Sequence, residues 1–142
     1  MFIFNKIGLF VFLFLTCHAF ASAQADIVVI GNLNNSSSLS KEDVASLYLG
    51  KNRLLPDGSK AKLINQKEGA SARKEFFTEI LDKNEASFMA HWSTIIFTGN
   101  GTPPAVLDSN AAVKEFVANH PEAIGYIEKT ALDQSVKALF EH

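Results

Sequence analysis

Along the chain, unbroken β-branched runs alternate with stripes at helical spacing. Asp26 to Gly31 (DIVVIG) is such a run ended by glycine, and it predicts a buried strand. The polar stretch Asn32 to Ser38 (NLNNSSS) predicts a loop. Ser40-Lys41-Glu42-Asp43 then fits a helix-capping box, with Leu39 placed to staple onto Val44. Val44, Leu47 and Tyr48 fall on one helical face, and Gly50 is the stop. Pro56-Asp57-Gly58 marks a turn, and Ala61 to Asn65 (AKLIN) predicts the second strand.

The second half continues the alternation. From Ala70 onward, Phe76, Phe77, Ile80 and Leu81 form a helical stripe, expected opposite Arg73, Lys74 and Glu79. Asn84 is placed to cap another helix, in which Phe88, Met89, Trp92, Ile95 and Ile96 repeat at helical spacing and read as core. Phe97 to Pro104 (FTGNGTPP), with two glycines and two prolines in eight residues, is excluded from regular structure. Asp108 or Ser109 caps a helix through Ala112, Val113, Phe116 and Val117, ending before Pro121. Ile124 to Glu128 (IGYIE) and Val136 to Phe140 (VKALF) are expected to be closing strands. Together these predict an α/β domain, with no internal repeat and no second domain.

The first stretch stands outside that pattern. Lys6, the apolar run Ile7 to Phe14 and the small residues Ala21-Ser22-Ala23 have the layout of a secretory signal peptide, residues 1–23. Cleavage is expected after Ala23, with Ala21 as the other position, leaving one domain over 24–142 that is periplasmic or secreted and not membrane-inserted. That domain has no cysteine and must hold itself together by its core. It carries 12 Lys+Arg against 15 Asp+Glu, a net −3, which argues against nucleic-acid binding and requires any anion site to be local.

The sequence Asn65 to Phe77 (NQKEGASARKEFF) carries the main candidate chemistry. A helix start presents unpaired N–H groups and a partial positive charge, and so can hold an oxyanion. Gly69 would let the backbone approach closely, Ser71 offers a hydroxyl, and Arg73 is a candidate counter-charge in the first turn. The plain reading is that Gly69 and Ser71 form the turn and cap the helix. Ser71 to Lys74 also matches the Ser-x-x-Lys pattern of serine acyl enzymes, but so does Ser59 to Lys62, and Lys129-Thr130-Ala131 fails the Lys-Thr-Gly pattern. His91, His120 and His142 have no second His or Cys at ligand spacing, so no metal site is expected. No catalytic residue and no cofactor are expected either. The other candidate is the Phe97–Pro104 loop, where Thr98, Gly99 and Thr102 could face a ligand across from the Ser71 helix start or simply form a rigid connector.

The series DVASLYLGK, INQKEGASARKEFF, HWSTIIFTGNGTPP and HPEAIGYIE, from about Asp26 to Phe140, resembles the substrate-binding proteins of phosphate ABC transporters. Its best anchors are Tyr48-Leu49-Gly50-Lys51 and Pro121 to Ile127. The resemblance implies a type 2 periplasmic binding protein-like fold, with a mixed sheet flanked by helices. That family's proteins have two lobes that close around the ligand; this chain is long enough for about one, and the resemblance covers the second. Where the family has Asp-Gly-Ser-Gly-Thr, this chain has Glu68-Gly69-Ala70-Ser71-Ala72, and the preceding family arginine falls near Gln66. The resemblance implies a non-enzymatic exported lobe that binds phosphate or another small oxyanion weakly through Gly69, Ala70, Ser71, Ala72 and Arg73, with Thr98, Gly99 and Thr102 as the other wall. The alternative is an interaction module that kept the fold, lost the ligand, and docks a protein partner or a second copy through the former cleft face.

Overall fold

The computed structural model describes residues 26–142; the expected signal peptide lies outside the described residues. Strand β1 (Ile27–Gly31) is buried at every position, as an unbroken β-branched run requires. Helix α1 (Lys41–Tyr48) starts at a complete capping box, in which Asp43 N–H donates to Ser40 Oγ and Ser40 N–H donates to Asp43 Oδ2. Gly50 follows it in the left-handed region, φ 72°, where its lack of a Cβ removes the steric penalty. After β2 (Lys62–Gln66) comes α2 (Ser71–Phe76), which widens directly into a π-helical turn (Phe77–Leu81). Next come α3 (Glu85–Phe97), β3 (Ala105–Leu107), α4 (Asn110–Asn119), β4 (Ala123–Glu128), a 3₁₀ turn (Lys129–Ala131) and β5 (Lys137–Glu141).

The strands form one mixed sheet in the order β3-β2-β4-β1-β5. β2 runs parallel to β3 and β4, while β1 is antiparallel to both β4 and β5. Alternation along β4 divides the core between two faces. Ile124 and Tyr126 join α1, α2, the π turn and α3 around Tyr48, Phe76 and Phe77. Ala123 and Ile127 face the other way, onto Val113 and Val117 of α4. Gly125 shares that second face, where a Cβ would stand only 2.5 Å from Val113 Cγ1; glycine is what lets α4 sit this close to the sheet.

Three expectations change. β3 was not anticipated; it is a three-residue edge strand directly after the Pro103-Pro104 pair, too short for a period-2 pattern. Arg73 does not lie on a polar face opposite the apolar stripe: it is four residues before Phe77, hence on the same face, and is buried. The α3 stripe is only half core, since Phe88 and Trp92 are buried but Met89 and Ile96 are each 51% exposed.

Candidate functional site

The turn before α2 is built as its sequence demands. Gly69 has φ 87°, and Ala70 N–H closes the turn on Lys67 O at 3.1 Å. Ala70 occupies the N-cap and supplies no side-chain acceptor to the helix start. Ser71 is therefore not the cap: it is the first helical residue, and its hydroxyl donates to Glu128 Oε1 at 2.5 Å, not to Lys74.

Arg73 is committed inward. Its Nη1 donates to the carbonyl of Gln66 at 2.8 Å and its Nε to Glu85 Oε2 at 2.9 Å, while Nη2 pairs with Glu85 Oε1. The guanidinium carbon lies 4.8 Å from the Phe77 ring centre and 5.8 Å from that of Phe88, within cation–π range of both. Gln66 is also spent: its amide donates to Tyr126 O at 3.0 Å and Asn110 Oδ1 at 2.8 Å. Below it, the Tyr126 hydroxyl donates to Asn65 Oδ1. Burial pushes the Tyr126 phenol well above its usual range.

The candidate residues do not meet in one cavity. Gly69, Ala70, Ser71 and Arg73 line a depression of about 570 Å³ together with Glu68, Glu85, Lys74 and Lys83. Ala72 is buried behind them. Thr102 lines a different depression, of about 370 Å³, with no residue in common with the first. Thr98 caps the end of α3, its hydroxyl donating to Thr94 O at 3.0 Å and Ile95 O at 3.1 Å, and Gly99 is the left-handed residue after it. The Thr98–Thr102 loop is thus not the opposite wall of the Ser71 turn. Between the two depressions runs an apolar groove of about 150 Å³, whose lining includes Arg73, Met89, Ile96, Pro104 and Val106.

Sequence reasoning missed Glu85 and Glu128 as the groups that occupy Arg73 and Ser71. The signal for Glu85 was present only as an acidic residue after the Asn84 cap, where it also favours the helix start. Among the described residues, no group of three or more His, Cys, Asp or Glu is gathered as metal ligands would be. His91 and His120 have ring nitrogens 2.7 Å from the carbonyls of Leu49 and Phe116, in structural contacts. No helix of the described residues is long and apolar enough to cross a membrane.

No family model and no curated protein matches the sequence. Solved structures do match. A putative phosphate ABC transporter substrate-binding protein with bound phosphate from Clostridium perfringens aligns with TM-score 0.64 and 21% identity, over 81% of this chain and 44% of that one. An ABC-type phosphate transport receptor from Vibrio cholerae aligns with TM-score 0.58 and 19% identity, over 81% and 45%. PstS from Borrelia burgdorferi gives 0.56 and 18%, over 81% and 46%. The chain therefore has the type 2 periplasmic binding protein-like fold of phosphate-binding proteins, in a single-lobe form. It spans less than half the length of the solved structures it matches.

Proposed function

We propose that this chain is an exported, non-enzymatic lobe that kept the binding-protein fold, gave up phosphate capture, and works by pairing with a second copy of itself through the former cleft face. The observation that carries this reading is the commitment of Arg73 to Glu85. An oxyanion at the Gly69 turn would meet Glu68 and Glu85 as well as Lys74 and Lys83, and would have to displace Glu85 to reach the arginine of that depression. Lys74 and Lys83 line the depression only as point charges, and an anion that lacks the two-pronged arginine contact is poorly paired, which costs several kcal/mol.

Beside the closed turn lies an unusual surface. From Ala86 to Leu107 the chain holds no Asp, Glu, Lys or Arg, although charged residues make up 20% of the sequence. Within that segment Met89, Ile96 and Val106 are about half exposed, and Phe97 is 92% exposed at the end of α3. Interface cores are depleted of charge and enriched in Phe and Met. A surface without charges is compatible with its own copy, whereas a partner chosen by charge would find nothing to pair with. Two copies would also supply two lobes, where each matched structure carries more than twice the aligned length in one chain.

Calorimetric titration with phosphate at low salt tests the closed turn, and light scattering on the processed chain tests the pairing. No heat and a dimeric mass are expected. Saturable phosphate binding that Ser71→Ala or Arg73→Gln abolishes, on a monomer, would restore anion capture as the function.

A further inference from the structure

The depression of about 370 Å³ differs from that at the Gly69 turn in having no carboxylate in its lining, and its size suits a small molecule. Its floor includes Trp92, whose indole N–H is fixed by donation to Tyr48 O at 3.0 Å. Two glycines keep space open around that ring. A Cβ on Gly50 would stand 2.9 Å from Trp92 Cη2, and one on Gly101 would stand 3.1 Å from Arg53 Nη2 and 3.6 Å from Trp92 Cζ3. Pro103 and Pro104 add a stiff apolar wall.

The rim is positive and uncompensated. No Asp or Glu lines the depression, while Arg53 and Lys60 do. Arg53 donates one N–H to the carbonyl of Asn100, which holds the guanidinium over Gly101 and, among the described residues, leaves its other donors unspent. Lys60 has no carboxylate partner among the described residues. Lys62 also borders the space, but its ammonium is turned over the Phe116 ring at 5.0 Å, so Arg53 and Lys60 carry the charge. In a chain of net negative charge this is a local anion-attracting site above an aromatic floor.

We infer that this pocket binds a small organic carboxylate with an aromatic or branched apolar body, the carboxylate on Arg53 and Lys60 and the body against Trp92, Pro103 and Pro104. The site goes beyond the pairing of copies: it shares Trp92, Pro103 and Pro104 with the apolar groove, but its charge comes from Arg53 and Lys60, which the groove lacks. Inorganic phosphate offers the charge without the body and so lacks half of what the pocket contacts.

Trp92 is the sole tryptophan and lines both this pocket and the neighbouring apolar groove, so the titrations are run at one fixed protein concentration and repeated on Ile96→Glu, in which no pairing of copies is expected. Phenylacetate, phenylacetamide and inorganic phosphate are titrated in parallel into the processed chain. Phenylacetate is expected to give a saturable change in the millimolar range, with no comparable response to the other two. Lys60→Gln, which removes an exposed ammonium without breaking a hydrogen bond, and Arg53→Gln are each expected to weaken it by about three- to tenfold. The inference is overturned if phenylacetate gives no saturable change, if phenylacetamide or phosphate matches it, or if both variants bind phenylacetate as the parent does.

Discussion

Arg73 and Glu85 form a two-pronged ion pair across the junction of α2 and α3, with the arginine side chain buried and the glutamate one-third exposed. The pair joins the residue best placed to meet an anion to a carboxylate of its own chain. It also fixes the start of α3 against the Phe77 ring. One contact thus underlies both the proposed closing of the turn and the position of the helix that carries the uncharged surface.

Neutralising Glu85 should separate these roles. Glu85→Gln leaves a buried guanidinium without its counter-charge and is expected to lower stability by roughly 2 kcal/mol, less than for a fully buried pair because the carboxylate is partly solvated. A urea melt measures this. Because Arg73 is then unpaired, phosphate at low salt is expected to give weak saturable heat in the variant and none in the parent.

Gly125 is a packing device. In Gly125→Ala the new methyl would overlap Val113 Cγ1, so α4 must shift, at a cost of about 1–3 kcal/mol. Val113→Ala in the same chain is expected to recover part of that loss, making the double variant more stable than the sum of the single effects. Thermal denaturation of the four chains decides it.

The strands and helix starts were largely legible in the sequence because local chemistry fixes them. The β-branched run at Ile27, the Ser40 and Asn84 capping boxes and the Ser109 cap each depend on residues a few positions apart. The site was less legible because its partners are distant. Ser71 meets Glu128 across 57 positions, Gln66 meets Tyr126 across 60, and neither pairing leaves a periodic trace. Arg73 was misplaced because a charged residue in an amphipathic helix is ordinarily assigned to the solvent face. The half-exposed stripe of α3 was misjudged for a related reason: spacing identifies an apolar face but not what covers it.

The buried tyrosines make stability depend on alkaline pH. Tyr48 donates to Ile64 O at 2.8 Å, and burial together with the neighbouring Tyr126 raises its pKa well above 10.0. Tyr126 is raised as well, chiefly by burial. In the unfolded chain both phenols ionise near pH 10, so above that pH the unfolded state releases protons that the folded state retains. Stability is therefore expected to be complete below pH 10 and to fall as pH rises further. Phenolate absorbance should appear together with unfolding. Tyr126→Phe should flatten the fall, at a cost of about 1 kcal/mol near neutrality.

Pairing through the α3–β3 surface is tested most directly by sedimentation equilibrium on the processed chain, on Ile96→Glu and Val106→Glu, and on Leu33→Glu, a similarly exposed leucine outside the uncharged segment. The expected result is a dimer for the parent and for Leu33→Glu, with Ile96→Glu and Val106→Glu monomeric and as heat-stable as any monomeric form of the parent. A parent that stays monomeric up to about 100 μM, or a dimer that survives both glutamates, would contradict it.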